Sequence, residues 1–175
     1  MEYRLITIAN DFTSMHKNNE IVELIGEGRV FELLSKISHK CKTEEEGKQA
    51  KSHCMDILRN NSWLLETDVL DVFLSREGII SSIEVSVNES LDNRISNLIE
   101  QIKEKTAEYG IITYVMVNFL ITKKCDFQLK ELYPFGDWMQ SSPLMTDDTD
   151  VWWHVSFDDN SNNQIRAIVL VMHQN

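Results

Sequence analysis

Basic residues, cysteine, proline and long apolar runs are all scarce in this chain of 175 residues. Lysine and arginine number 17 against 28 aspartates and glutamates, a formal charge of −11. Nucleic-acid binding needs clustered Lys and Arg to neutralise phosphates, so no nucleic-acid ligand is expected. The three cysteines, Cys41, Cys54 and Cys125, are odd in number and widely spaced. They match no metal or redox spacing and read as reduced, mostly buried thiols. The glycines form no phosphate-cradling loop: Gly26-Glu27-Gly28 is too short and lacks the strand-to-helix context of a dinucleotide site. The longest apolar stretch, Gly110 to Ile121, falls far short of a membrane span. The start, Met1-Glu2-Tyr3-Arg4-Leu5, resembles neither a secretion signal nor a lipidation motif, so a cytoplasmic protein without membrane association is expected.

At this length one domain is expected, burying roughly 70% of the unfolded chain's surface without a disulfide or metal staple. It divides into a mainly helical half, residues 1–77, and a sheet-containing half, residues 78–175. The expected class is α+β: an N-terminal helical segment packed with a mixed, mostly antiparallel β-sheet crossed by one long helix. Gly110–Ile121 is apolar at both alternating sets of positions, the pattern of a strand buried on both faces, and is expected at the centre of that sheet.

In chain order, Tyr3 to Ala9 reads as an edge strand, and Ile21 to Arg76 as four short helices. One carries the stripe Val30, Phe31, Leu34, Ile37 and Cys41. Thr43-Glu44-Glu45-Glu46 predicts a capping box with three acids at the positive end of the next helix. Ile79 to Val87 alternates as a strand covered on one face. Ser90 or Asn88 is the expected cap of a helix with the stripe Leu91, Ile95, Leu98 and Ile102, stopped at Gly110. After the central strand, Asp126 to Tyr133 is expected to return as a hairpin strand. Both prolines mark Pro134 to Asp150 as a long loop. Val151–Phe157 and Gln164–Met172 then form an expected antiparallel pair, the second member well inside the sheet.

No catalytic, metal or cofactor site is expected. His39, Cys41, His53 and Cys54 fit no zinc pattern, and Asp147-Asp148-Thr149-Asp150 lacks the glycine and distal glutamate of a calcium loop. Ser62, Ser141 and Ser142 lack a nucleophile elbow. His154 and His173, on neighbouring expected strands, define the enzyme alternative, a small hydrolase whose histidines, or His154 and an aspartate, converge in one pocket.

Charge is uneven. Ten basic residues meet fourteen acidic ones before Gly78, and seven meet fourteen from it onward. From Pro134 to the end only Arg166 opposes six aspartates. Asp147, Asp148, Asp150, Asp158 and Asp159 flank Trp152 and Trp153, whose indoles point to opposite faces of a strand. Trp153 aligns with Val151, Val155 and Phe157 as core, which leaves Trp152 among the acids. An aromatic ringed by charge is a recurring form of binding hot spot, so Asp147, Asp148, Asp150, Trp152, Asp158 and Asp159 are the expected partner-binding residues.

In size, acidity and mixed fold the chain resembles bacterial immunity proteins, the cognate inhibitors of toxic nucleases such as those of contact-dependent growth inhibition. The resemblance is one of overall character and involves no shared motif. It implies a basic protein toxin as partner, held as a heterodimer with its active site covered by acidic side chains, and no activity of the chain's own. The other binding readings are a phage anti-defence protein whose carboxylates imitate phosphates, and an assembly subunit that meets copies of itself.

Overall fold

Local chemistry starts and stops the elements. The Glu46 N–H donates to the Thr43 hydroxyl at 3.2 Å while the Thr43 N–H donates to the Glu46 carboxylate at 3.1 Å, completing the expected capping box. The computed structural model describes residues 27–60, 67–158 and 162–174. The strand expected over Tyr3–Ala9, the greater part of the first expected helix and Asp159 lie outside the described residues. The elements are α1 (Glu27–His39), α2 (Glu44–Asn60), α3 (Thr67–Ser75), β1 (Ile79–Asn88), α4 (Arg94–Thr106), β2 (Ile112–Ile121), a 3-10 turn (Leu129–Leu132), α5 (Tyr133–Ser141), β3 (Met145–Phe157) and β4 (Gln164–His173).

The class is α+β, with a mixed four-stranded sheet in the order β1-β4-β2-β3. Strand β4 runs antiparallel to both β1 and β2, and β3 runs parallel to β2. The two strands that are apolar at both sets of positions, β2 and β4, therefore occupy the middle. A strand there has a neighbour on each edge and helices above and below it.

One face of the sheet presents Val85, Val115, Val117, Phe119, Ala167, Val169 and Val171 to α4 and α5, where Leu98, Ile102, Phe135 and Trp138 complete a core. The other face presents Ile80, Tyr114, Met116, Leu120, Ile168, Leu170 and Met172 to α1, α2 and α3, against Leu33, Ile37, Ile57, Leu70 and Phe73. The sheet is thus the middle layer of three. In α4 the expected positions Ile95, Leu98 and Ile102 are buried, but Leu91 precedes the helix and is exposed. Asn93 starts the helix in left-handed conformation with no side-chain cap, and Asn88 instead accepts from the Ser90 N–H at 2.9 Å to shape the turn before it.

Three expectations are corrected. Residues 126–133 are no hairpin strand: Leu129 and Tyr133 are 59% and 73% exposed, so their alternation with Phe127 has no buried face to serve. Gln128 and Glu131 form a capping box that coils the segment into the 3-10 turn. Residues 134–150 are no long loop either. Pro134 sits in the first turn of α5, where a missing N–H costs nothing, and Phe135 and Trp138, three apart, share its buried side. The expected antiparallel pair of the last two strands is also absent. β2 lies between them, because β4 needs cover on both faces and β3, with exposed acids at its start, can serve only as an edge among the described strands.

Candidate functional site

Strand β3 carries most of the expected partner-binding residues, and its register decides which of them meet. Ile112 faces Met145 and Tyr114 faces Asp150, so residues 146–149 leave the ladder as a bulge before regular pairing resumes. Its two threonines brace it. The Thr149 hydroxyl donates to the Ile112 carbonyl at 2.7 Å and accepts the Thr146 N–H at 2.9 Å, and the Thr146 hydroxyl accepts the Asp148 N–H at 3.3 Å. At the tip, Asp147 and Asp148 stand exposed, with no ion pair among the described residues.

The other expected acids among the described residues, Asp150 and Asp158, are engaged. Asp150 pairs with Arg76. Asp158, just past the far end of β3, is buried and accepts from Arg166 Nη1 at 3.0 Å. At about 3.3 Å per residue the strand from Asp150 to Asp158 spans roughly 26 Å, so the acids form two separate groups rather than one acidic hairpin. Trp152 and Trp153 do face opposite sides, but both are half-buried: Trp153 packs on the α4–α5 core and Trp152 on the α1–α3 core. The Trp152 indole stacks on the His154 ring, centroids 5.9 Å apart.

The two histidines of the enzyme alternative do not converge. His154 faces Asn118 and shares the Trp152 side, whereas His173 faces Ile112 and stacks on Tyr109 at 4.1 Å on the α4–α5 side. The sheet separates them, and six residues of β2 add roughly 20 Å along the strand. Burial lowers the pKa of both, favouring neutral imidazoles.

Sequence reasoning missed a polar half on the face toward α1–α3. Near the C-terminal ends of β1, β2 and β3 this face carries Glu84, Asn118, His154, Ser156, Asp158 and Arg166 in place of core residues. Arg166 Nε donates to Glu84 at 2.7 Å, and His53 of α2 brings its Nε2 to 3.3 Å from the other Glu84 oxygen. One chain of polar contacts thus links α2, β1, β4 and the end of β3. Burial lowers the His53 pKa, opposed by the Glu84 and Asp56 carboxylates. Beside it the Ser156 hydroxyl donates to the Asn118 carbonyl at 3.1 Å. Two buried nitrogens on this face, His53 Nδ1 and Asn118 Nδ2, have no hydrogen-bond partner. The signal was a lone polar residue inside an apolar strand, as at Asn118 and Arg166. Among the described residues no group of three metal-ligating side chains converges, and no helix is long and apolar enough to cross a membrane.

No protein-family model matches the chain, and no curated protein matches it in sequence. Solved structures do. A tryptophan-to-tyrosine mutant of FtsZ from M. jannaschii is similar with a TM-score of 0.54 and 11% identity, over 72% of this chain and 38% of that one. CetZ2 from Haloferax volcanii, in a GTPgS-bound protofilament, has a TM-score of 0.47 and 11% identity over 77% of this chain and 42% of that one. The chain spans less than half the length of either structure. At such identity the FtsZ likeness is one of fold alone.

Proposed function

We propose that this chain is a binding protein of the immunity type, which holds a cognate basic protein, a toxin and by its charge a nuclease, and covers that protein's active site with acidic side chains. One observation carries the reading: the β3 bulge holds Asp147 and Asp148 out in solvent with no cation among the described residues to balance them, while Asp150 and Asp158 are neutralised within the chain. Two adjacent uncompensated carboxylates on an internally hydrogen-bonded bulge are pre-organised for Lys or Arg side chains of a partner. Complementary charge of this kind speeds encounter and discriminates between partners. The chain's acidity extends the same attraction over longer range.

The test is affinity capture from cells that make the protein naturally, with the chain as bait, in low and high salt. One basic protein should be retained at stoichiometric level, released by salt, and held several-fold more weakly by D147N/D148N. Retention of no basic protein, or salt-independent retention, refutes the reading.

A further inference from the structure

The far edge of β3 invites an additional strand. From Asp150 onward β3 pairs in unbroken register with β2 through Phe157, while among the described residues no strand pairs with its other side. An edge of this kind offers a row of backbone donors and acceptors to any extended chain, and proteins normally guard it with lysine, proline, bulges or a covering helix. Here the guard stops at the bulge. Asp150 to Ser156 reads Asp-Val-Trp-Trp-His-Val-Ser, without lysine or proline and rich in β-branched and aromatic residues. The opposite edge differs: α2 and α4 pack along β1, and Ile83, Val85 and Val87 are buried there.

Two occupants from outside the chain suit such an edge, and charge decides between them. A second copy would pair β3 with β3 antiparallel about a two-fold axis. That arrangement brings together two chains of charge −11, which opposes association. An extended basic segment gains at the same place, its backbone completing the ladder and its Lys or Arg side chains meeting Asp147 and Asp148.

Resting on the reading of the chain as a binder of a basic protein, we infer that the partner docks by adding a basic strand to the Asp150–Ser156 edge of β3. Main-chain hydrogen bonds provide the affinity of such augmentation and the flanking side chains its selectivity. Trp152 and His154 on one face and Trp153 and Val155 on the other would bracket the incoming strand.

The experiment titrates the isotopically labelled full chain with an octapeptide of alternating lysine and valine, following backbone amides by NMR, with a glutamate-for-lysine peptide as control and polylysine as a strand-free cation. The lysine peptide should shift the Asp150–Ser156 amides and slow their hydrogen exchange by about tenfold, more weakly in salt and in D147N/D148N, and the control should do neither. Successive residues of a strand point their N–H groups to opposite edges. Of His154→Pro and Val155→Pro, one therefore removes an outward N–H, stays folded by circular dichroism and should lose peptide binding.

Shifts confined to other elements, or undiminished binding by the folded proline variant, overturn the edge assignment, as does self-association that protects these amides without peptide. Polylysine separates the two levels. If it binds in low salt while the edge amides remain unchanged with the octapeptide, only the edge assignment fails. If neither cation binds in low salt, the basic-partner reading fails with it.

Discussion

Removing the Asn118–Ser156 pair from the polar half of the sheet should make the protein more stable, even though it deletes a buried hydrogen bond. Asn118 is 0% exposed and Ser156 4% exposed. Whichever way the Asn118 amide is turned, one of its two polar atoms is left without a partner, because Ser156 is the sole group bonded to it among the described residues. An orphaned buried donor costs about 1–3 kcal/mol, and the bond to Ser156 returns about 1 kcal/mol net. S156A alone leaves the whole amide unpaired and should destabilise by about 1–3 kcal/mol. N118V alone removes the orphan, strands the Ser156 hydroxyl and should come out near neutral. N118V/S156A removes both polar groups of the pair, places a β-branched residue in a central strand and should gain about 1 kcal/mol. At this chain length that is a rise of roughly 2–4 °C in Tm. Urea unfolding of the four proteins at neutral pH, with unchanged m-values, gives the coupling directly. A folded double variant less stable than wild type by more than about 1 kcal/mol refutes the reasoning, since the amide would then have a partner worth more than its desolvation.

Three further outcomes can be measured in the same way. Burial lowers the pKa of His53, His154 and His173 below 6.5, so the unfolded chain binds protons first. Stability is then full above pH 6.5 and lost as pH falls through the folded-state values. The urea midpoint should drop between pH 7.5 and 5.5, less so in His53→Gln, and a flat profile would contradict this. Gly78→Ala should cost about 2–3 kcal/mol, because at φ +139° its Cβ would lie 2.7 Å from the His173 carbonyl oxygen. Little change in the urea midpoint would mean that the turn into β1 relaxes. Arg94→Lys should cost about 2–3 kcal/mol, because lysine cannot reproduce the fork that donates to both Glu131 oxygens at 2.7 and 2.8 Å while also reaching the Glu89 and Asp126 carbonyls. Unchanged stability would mean that the 3-10 turn does not need that clamp.

The layers were legible because hydrophobic periodicity reports burial on each face. Apolar residues at both sets of positions in β2 and β4 placed these strands inside the sheet, and Thr43 with Glu46 marked the start of α2. Strand order was not legible, since alternation reveals how many faces are covered and nothing about which neighbour lies alongside. Chain adjacency favoured pairing β3 with β4, yet β4 satisfies its edges only between β1 and β2. The segment 126–141 misled because Phe127, Leu129 and Tyr133 alternate by coincidence, while the stronger signals, Pro134 in a first turn and Phe135 with Trp138 at helical spacing, lay on the other side of an assumed boundary. Ion pairs such as Arg166 with Glu84, or Arg94 with Glu131, join residues distant in sequence and become visible only once the topology is known.

Those ion pairs also divide the acids that the sequence grouped together. Arg76, Arg94 and Arg166 are each engaged by carboxylates of the same chain. Guanidinium forks suit such partly buried pairs better than lysine does. Substitution by asparagine should therefore sort the aspartates into two classes. Asp158→Asn leaves Arg166 with Glu84 as its remaining carboxylate and should cost about 1–3 kcal/mol of stability, and Asp150→Asn, at a more exposed pair, less than about 1 kcal/mol. Neither should greatly alter the salt dependence of binding to a basic partner. D147N/D148N should do the reverse, leaving the urea midpoint within about 0.5 kcal/mol of wild type while weakening cation binding and flattening its dependence on salt. Measuring both quantities on all three variants separates the classes. Equal binding losses at Asp158 and at the bulge would mean that a partner spans the full length of β3 and draws on both ends, and the bulge could then no longer be regarded as the principal contact.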